Sequence, residues 1–399
     1  MQKTVVIGGG PAGMMAAYAA SGENCRVILI ERNKSLGKKL LLTGSGKCNY
    51  SNENLSPSNY YFGENRSFAQ LLEKYDTRWI ENFFAEHGML TDVRDGLLYP
   101  RSERSDTVKD LLENLLTESN VEIIYDKKVV KVSKEKEFVL ETEDGSVITA
   151  DKLIIATGGK AYPVTGSDGG GYRLARSLGH EVTFTYPVLT RLLFSDPQIE
   201  VATGVRIKAK VSAAVDGTVA GTTEGEIQFN SNSLSGICIF QLSRFVSKPL
   251  EEGKKCEIHI DFAPQMSKEE VTSFICEVLE RREGTKPTDI LETMFGKKTA
   301  ALIVSKTKER YNKPEVKDFA EIIKDVVIGI DSHDSFRDAQ CTRGGVRTDE
   351  VTDDMESTIC KNLYFAGEVL DVDGTCGGYN LHFAFMSGYI AGKKAAEKQ

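Results

Sequence analysis

The residues best suited to chemistry stand at the start of the chain, where glycine recurs at a fixed spacing. Gly8, Gly10 and Gly13 form the pattern GxGxxG directly after the apolar run Thr4-Val5-Val6-Ile7. In this pattern the first glycine permits a tight turn, the second lets a pyrophosphate contact the backbone, and the third lets helix and strand pack closely. The N–H groups at the head of the following helix then face the phosphates. The turn therefore predicts dinucleotide binding.

An acidic residue stands where the ribose of such a ligand needs it. Glu31 follows a second predicted strand, Arg26 to Ile30, about 20 residues after the turn. A carboxylate there can accept hydrogen bonds from the hydroxyls of an adenosine ribose. Strand, turn, helix, second strand and acid are in register, which favours a Rossmann βαβ unit over a purely structural glycine turn.

A second glycine-rich segment, 37–49, resembles a Walker phosphate loop only in part. That loop would need glycine at Leu41 and a hydroxyl residue at Cys48, so the segment is not one. Its glycines are instead expected to let the chain run close along a cofactor toward the ring system. Cys48 as a nucleophile is the weaker alternative, because the sequence shows no base partner for it.

A third glycine-rich block lies at 362–381. A strand that ends at Ala366-Gly367-Glu368 places an acid where the ribityl phosphate of FAD is expected. Gly377-Gly378 precedes a helix predicted from Tyr379 to Ala391, which puts a helix N-terminus near the flavin ring. The two ends of the chain are therefore expected to complete one FAD site.

The elements that position these segments follow from hydrophobic spacing. The first part of the chain shows helical spacing from Asp106 to Leu116, alternating strands at 121–125, 128–133, 137–142 and 146–149, and a buried strand from Lys152 to Ala156. From Tyr186 onward the pattern changes to a strand from Val205 to Ser212, the turn Asp216-Gly217, strands at 226–230 and 256–262, and a capping box of Ser267 and Glu270. We predict a discontinuous FAD-binding domain, 1–185 and 331–399, interrupted by an inserted β-rich and helical domain, 186–330.

With these motifs the chain resembles a known family. The matching pieces are the GGGPAG turn with Glu31, LLTGSGKCN ending at Asn49, LYPRS at 98–102, ATGG at 156–159, TGSDGGGY at 165–172, RGGV at 343–346 and AGEVLDVDGTCGGYNL at 366–381. Their order is similar to that of the HI0933-like or aminoacetone-oxidase-like FAD-dependent oxidoreductases, which include the BaiN-like flavoproteins. The resemblance implies an α/β fold with a glutathione-reductase-like Rossmann FAD-binding domain and an inserted β-barrel-like plus helical domain. Ser45, where a glycine is common, and His382, at a variable position, depart from the pattern.

Motifs and resemblance together give a set of candidate cofactor-binding residues. They are Gly8, Gly10, Pro11, Ala12, Gly13, Glu31, Arg32, Lys39, Thr43, Gly44, Gly46, Cys48, Asn49, Val129, Thr157, Gly158, Gly159, Gly345, Gly367, Glu368, Gly378, Tyr379, Asn380 and Leu381. The candidate catalytic residues are Tyr162, Arg343, Tyr379 and His382, because they flank segments placed at the flavin ring. For each of these four, a packed or solvated side chain is an equal alternative.

The predicted activity is hydride transfer between FAD and a small organic substrate. An NAD(P)H-driven reductase of a conjugated or carbonyl compound is the first hypothesis. An amine or alcohol oxidase using oxygen, and a non-catalytic flavin-binding redox sensor, are the alternatives. Because 186–330 contains no second GxGxxG unit, any NAD(P)H is expected to dock transiently over the flavin.

Composition excludes several other classes of function. Lys plus Arg total 50 against 58 Asp plus Glu, and the net charge of -8 disfavours a nucleic-acid partner. The eight cysteines are scattered without a CxxC pair, so neither a metal site nor a disulfide framework is expected. No apolar run reaches about 18 residues, which predicts a cytoplasmic protein without a membrane partner. The oligomeric state is left open.

Overall fold

The computed structural model describes residues 1–397 except Asn24 and Arg66. Its α-helices, in chain order, are α1 (Pro11–Ala20), α2 (Phe68–Lys74), α3 (Thr77–Glu86), α4 (Ser105–Glu118), α5 (Gly170–Ser177), α6 (Ile237–Glu251), α7 (Lys268–Arg281), α8 (Pro287–Phe295), α9 (Lys297–Arg310), α10 (Val316–Lys324) and α11 (Tyr379–Ala396). The strands are β1 (Gln2–Ile7), β2 (Cys25–Ile30), β3 (Ser51–Asn52), β4 (Tyr60–Tyr61), β5 (Thr91–Arg94), β6 (Leu97–Pro100), β7 (Glu122–Ile124), β8 (Val129–Lys134), β9 (Phe138–Thr142), β10 (Val147–Ala150), β11 (Lys152–Ile155), β12 (Tyr186–Val188), β13 (Leu192–Leu193), β14 (Arg206–Val215), β15 (Thr218–Phe229), β16 (Ser233–Ser235), β17 (Cys256–Asp261), β18 (Val326–Ile330), β19 (Ser332–His333), β20 (Cys341–Arg343), β21 (Leu363–Phe365) and β22 (Asp373–Gly374).

The chain forms two compact units. The first contains Met1–Tyr186 and the segment from Cys341 onward, and the second contains Pro187–Gln340. The first boundary lies one residue from the predicted one, but the second lies ten residues later than 330/331. The reason is β19, which pairs with β13 through Leu192 and His333 and so keeps 331–340 with the second unit.

A parallel sheet forms the centre of the first unit. Its strand order is β21-β11-β1-β2-β7, and β1 lies between β11 and β2, with Val6 opposite both Ile154 and Leu29. The strands of such a sheet are covered on both faces and are therefore continuously apolar. The predicted Rossmann-type α/β fold is confirmed. The glycine turn follows β1 at the carboxyl edge of the sheet, where ligands bind in doubly wound folds.

Helix α11 packs directly against α1. A Cβ at Gly388 would overlap the carbonyl oxygen of Ala12, and one at Gly392 would overlap that of Ala16. Two glycines one turn apart therefore allow the backbones of the first and last helices to touch. A small antiparallel sheet, β10-β9-β8, is attached to this unit as the alternating pattern predicts.

The second unit is built on a seven-stranded sheet of order β18-β17-β14-β15-β16-β13-β19, together with α6 to α10. The turn between β14 and β15 contains Asp216 (φ 49°) and Gly217 (φ 79°), a conformation that suits a two-residue hairpin. The capping box at the start of α7 is present in both directions, Ser267 to Glu270 and back. Within the described strands no pair joins β18 to β19, so this sheet is open and the expected barrel-like closure is not seen.

Across the described residues, no helix has the length and apolar character that crossing a membrane requires.

Candidate cofactor site and active site

The glycine turn between β1 and α1 has the close contacts that its spacing predicts. Gly8 adopts φ 106°, and a Cβ there would lie 2.5 Å from the carbonyl oxygen of Ala156. A Cβ at Gly13 would overlap the carbonyl oxygen of Gly8. Gly10 caps α1, and the space in front of its Cβ position is open within the described structure. The first and third glycines thus serve packing, and the second faces free space.

The N-terminus of α1 suits an anion. Pro11 and Ala12 begin the helix, no described side chain caps it, and its first turn contains no acidic residue. Helix N-termini carry unpaired N–H groups and a partial positive charge. These groups fit the pyrophosphate of a dinucleotide, and the open space at Gly10 leaves room for it.

Glu31 is buried at the end of β2, beside this turn. One carboxylate oxygen accepts a hydrogen bond of 2.7 Å from the Gly9 N–H, and the other accepts bonds of 2.8 and 2.6 Å from the backbone and side chain of Asn33. Each carboxylate oxygen offers two acceptor positions, so one lone pair of Oε2 is still available to a ribose hydroxyl. Glu31 therefore also fixes the turn, a role that sequence reasoning did not assign.

A charged cavity of about 240 Å³ lies next to Arg32. It is lined by Arg32, Asp126, Lys127, Lys128, Glu143 and Asp144. Arg32 pairs with Asp168 at 2.6 Å and also donates to the Gly166 carbonyl at 3.1 Å. Val129 is buried immediately after Lys128 in the chain. Lys127, which lines this cavity, donates its backbone N–H to the Glu31 carbonyl at 3.0 Å, so the cavity lies beside the candidate adenosine site.

The segment 37–49 forms a kinked turn over Leu40–Gly46, in which Thr43 is extended and Gly44 is left-handed. Gly46 has φ 85° and open space at its Cβ position within the described structure. Cys48 is buried, and burial raises the pKa of its thiol to about 12. A thiol in that state is not a nucleophile at neutral pH, so the alternative role of Cys48 loses its support.

Lys39 joins this segment to the C-terminal block. Its ammonium lies 2.7 Å from Glu368 Oε2, and the Thr342 N–H donates to Glu368 Oε1 at 2.8 Å. Gly159 packs against the same group, since a Cβ there would lie 2.5 Å from the Thr342 hydroxyl and 3.0 Å from Glu368. The structure thus brings together three predicted segments that are far apart in the sequence.

The ATGG segment contributes a polar atom without a partner. The hydroxyl of Thr157 is buried and has no hydrogen-bond partner among the described residues. Gly158 adopts φ 72°, and a Cβ there would lie 2.7 Å from the Ser167 hydroxyl.

Gly367, in the C-terminal block, donates its N–H to Ser387 at 2.9 Å and packs on Ala12.

Gly345 is placed differently from its prediction. A Cβ there would lie 2.7 Å from the backbone of Leu370, and Thr183 satisfies both of its backbone polar groups. Gly345 is therefore required by chain packing, and its backbone is not available to a cofactor.

The start of α11 is positioned by β3 and the residues before it. With the Asn49 amide nitrogen facing the carbonyls of Ser51 and Leu98, the Asn49 oxygen accepts from the Gly378 N–H at 3.1 Å. Gly378 has φ 91°, and a Cβ there would overlap the Ser51 carbonyl oxygen. The contact with β3 alone therefore requires glycine at 378, and the contact of Gly378 with a flavin ring stays a prediction.

The first turn of α11 is otherwise open to an anion. No described side chain caps it and it contains no acidic residue. Asn380 holds Gly374 by both backbone groups at 2.8 and 2.9 Å. Tyr379 is buried edge-to-face against Tyr60, and Leu381 packs on the core. The N–H groups of this turn would therefore be the contribution of 379–381 to a ligand.

His382 is placed in the core. Its Nδ1 accepts a hydrogen bond of 2.9 Å from the Ser51 hydroxyl, and its Nε2 donates one of 2.8 Å to the Tyr75 carbonyl. Burial lowers the pKa of the ring to about 4. Both ring nitrogens are in use, so His382 positions β3 against α11 and does not face a substrate.

Tyr162 is partly exposed, and its backbone adopts a left-handed conformation with φ 59°. Its carbonyl accepts a hydrogen bond from the Thr165 hydroxyl. No described contact joins its side chain to the other three candidate catalytic residues.

Arg343, by contrast, lies in a buried polar cluster. Its guanidinium pairs with Asp373 in a bidentate manner, at 2.6 and 2.9 Å.

Three further residues surround Arg343, and sequence reasoning missed them. The guanidinium lies 4.7 Å from the ring centroid of Tyr61. It also hydrogen-bonds Tyr186, and Asp371 lies close enough to act on the same guanidinium and on Tyr186. The alternation of acids in Leu370-Asp371-Val372-Asp373 was the available signal. No group of His, Cys, Asp or Glu in the described chain is arranged to hold a metal.

The chain is similar in sequence to proteins of a known family. Residues 2–394 match the family model described as the HI0933-like protein Rossmann domain. The 3-dehydro-bile acid delta(4,6)-reductase of Clostridium scindens is 38% identical over 411 residues, covering 100% of both chains. The ribosomal RNA dihydrouridine synthase of Escherichia coli is 26% identical over 401 residues, covering 96% of each chain.

The fold is also similar to a solved structure. The 3-ketosteroid-delta4-(5alpha)-dehydrogenase of Rhodococcus jostii, in complex with 4-androstene-3,17-dione, aligns with a TM-score of 0.50 and 16% identity. The alignment covers 100% of this chain and 97% of the other. At this level of identity the similarity concerns the fold.

Proposed function

The chain belongs to the HI0933-like family and is an FAD-dependent oxidoreductase, and on this basis we propose that it saturates a carbon–carbon double bond conjugated with a carbonyl group. The electron donor is a reduced nicotinamide. In the net reaction, NAD(P)H and one proton convert the enone to the saturated ketone and NAD(P)+. The hydride ends on the carbon β to the carbonyl, and the proton ends on the α carbon.

The observation that carries this proposal is the chemistry shared by two relatives. One is named for reducing double bonds at positions 4 and 6 of a 3-oxo bile acid, and matches this chain over its whole length. The other is named for forming dihydrouridine. The double bond of uracil that becomes saturated in this product is conjugated with a ring carbonyl. The two substrates differ greatly in size and charge, whereas the bond that is reduced has the same electronic character.

The described residues support binding of FAD in an extended form. The N-terminus of α1 would hold the pyrophosphate, Glu31 the adenosine ribose, and Lys39 with Glu368 the ribityl chain. When bound, FAD supplies a carrier that accepts two electrons from the nicotinamide and gives them to carbon. All described strand pairs of the second unit are antiparallel, which gives no support to a dedicated nicotinamide-binding βαβ unit, so the donor docks transiently.

A steroid-like acid is favoured over a ribosomal RNA uridine as the substrate. Identity to the bile acid reductase is higher, at 38% against 26%. The net charge of -8 also opposes association with a polyanion. Uridine in ribosomal RNA is the second candidate, because two bacterial dihydrouridine synthases match nearly the whole chain.

Anaerobic half-reactions test the proposal. The purified holoprotein is reduced with NADH or NADPH, and its reoxidation is then followed with a 3-oxo-Δ4 steroid acid, with ribosomal RNA lacking dihydrouridine, and with oxygen. We expect reduction by one nicotinamide and rapid reoxidation by the steroid. Rapid reoxidation by RNA alone would select the second candidate. Fast reoxidation by oxygen alone, with reduction by an amine or alcohol, would contradict the proposal in favour of an oxidase.

A further inference from the structure

The cluster around Arg343 is a preorganised and largely buried polar group. The side chain of Asp373 is 1% exposed and that of Arg343 is 14% exposed. Their bidentate pairing neutralises both charges and fixes the plane of the guanidinium. Tyr61 covers one face of that plane at 4.7 Å. The guanidinium therefore has a single orientation, and the groups that it contacts are held with it.

Tyr186 receives a hydrogen bond from this guanidinium. A guanidinium has only donors, so the phenol oxygen must be the acceptor in that bond. The one hydroxyl proton of Tyr186 is thus directed away from Arg343, and no acceptor for it is found in the described part of the chain. Burial raises the pKa of Tyr186 to about 12, which keeps the proton in place at neutral pH.

We propose that the Tyr186 hydroxyl is the hydrogen-bond donor that recognises the carbonyl oxygen of the substrate, with Arg343 and Asp373 as its positioning residues. The inference rests on the proposed function. As a hydride reaches the β carbon of an enone, negative charge develops on the carbonyl oxygen. A fixed donor aimed at that oxygen stabilises the charge without reorganisation. The guanidinium N–H that donates to the phenol oxygen polarises the O–H bond and so strengthens the donor.

The position of the cluster agrees with this role. Thr342, the residue before Arg343, donates to Glu368, and Gly374, the residue after Asp373, is held by Asn380 in the first turn of α11. The cluster is therefore fixed between the two C-terminal segments assigned to the flavin. Tyr186 consequently belongs to the same site and not to a separate one.

An apolar surface adjoins the donor. The ring of Phe184 is 69% exposed and lies nearly parallel to that of Tyr186, with centroids 6.3 Å apart and planes at 25°. An exposed aromatic ring beside a buried donor suits a fused-ring ligand with one oxygen at its edge. Phe184 is the expected contact for the ring system, and Tyr186 for the oxygen.

The test compares Tyr186→Phe with Tyr311→Phe, which makes the same change in the second unit. FAD content and the rate of flavin reduction by the nicotinamide are measured first, and we expect both to change by less than about twofold. Reoxidation by a 3-oxo-Δ4 steroid acid should then slow by about 10²- to 10³-fold in Tyr186→Phe, the usual loss for one such donor. Tyr311→Phe should behave as the unchanged protein.

A second probe needs no turnover. A substituted phenolate imitates an enolate oxygen, and its binding to the oxidised holoprotein can be followed by its absorption. We expect Tyr186→Phe to weaken binding by about 10- to 100-fold, as loss of a charge-assisted bond does. Equal reoxidation or equal phenolate binding in Tyr186→Phe and the unchanged protein would overturn the inference. If no enone reoxidises the unchanged protein while phenolate binding still depends on Tyr186, the proposed function fails and the assignment of the donor stands.

Discussion

Gly388 lies so close to Ala12 that a single Cβ at position 388 would overlap the Ala12 carbonyl oxygen. Ala12 belongs to the first turn of α1, next to the glycines of the phosphate turn, and Gly388 lies in the middle of α11. The last helix is thus fixed directly on the helix that would bind the pyrophosphate. This contact explains how residues from both ends of the chain form one site.

Gly388→Val should therefore destabilise the first unit and weaken FAD binding together. Overpacking in a core lowers the free energy of unfolding by about 1–3 kcal/mol. We expect a loss at the upper end of this range, because the added side chain would meet the backbone of Ala12. The measurement is the free energy of unfolding with and without FAD. Gly329→Ala is the control, since its Cβ position is open within the described structure. A Gly388→Val protein as stable as this control would show that the two helices can separate without loss.

Local patterns predicted much of the fold. The glycine turn, the hairpin at Asp216-Gly217 and the capping box of Ser267 depend on neighbours in the sequence, and all three are present. Helix α6 was missed although Ile239, Leu242 and Val246 are buried with helical spacing. The second unit ends ten residues after the predicted boundary because the pairing of His333 with Leu192 joins distant parts of the chain, and such pairing leaves no local signal.

The candidate site was harder to predict than the fold. Gly345 and Gly378 were singled out as glycines near a cofactor, but the structure shows each packed against backbone from a distant segment. In a sequence, these two reasons for glycine look the same. Tyr186 was missed because its partner Arg343 is more than 150 residues away and no motif joins them.

Glu31→Ala should reduce FAD affinity by about 10- to 100-fold, because a charge-assisted hydrogen bond contributes about 1.5–3 kcal/mol. The loss should be at the upper end, since Glu31 also holds Gly9 and Asn33. Titration of the apoprotein with FAD gives the dissociation constant. Glu122→Ala, which removes an exposed partner of Arg26, should leave the constant unchanged. An equal constant for Glu31→Ala would remove the carboxylate from the FAD site.

His382 should make the protein less stable as the pH falls. Its pKa is about 4 in the folded state and about 6.5 in an unfolded chain. Between these values the unfolded state binds more protons, so the free energy of unfolding decreases as the pH is lowered. The loss from pH 7 to pH 4.5 should be about 2–3 kcal/mol. Denaturant titration of His382→Gln should lack this contribution, and an equal pH dependence in both proteins would contradict it.

Asp371 should act in the opposite direction over an overlapping pH range. Burial raises the pKa of its carboxyl to about 6, whereas an unfolded aspartate titrates near 3.9. Between these values the folded state binds more protons, so the free energy of unfolding decreases as the pH rises, by up to about 3 kcal/mol. An asparagine can still accept from the Gly344 N–H and can donate to the Thr183 hydroxyl, which now donates to Asp371. Asp371→Asn should therefore be more stable than the unchanged protein at pH 7 and nearly equal to it at pH 4.

Since His382 and Asp371 oppose each other between about pH 4 and 6, the unchanged protein should show a shallow pH dependence of its free energy of unfolding. Asp371→Asn should show the steeper loss of stability toward acid pH that His382 causes. A variant that is less stable than the unchanged protein at pH 7 would mean that the ionised carboxylate stabilises the fold.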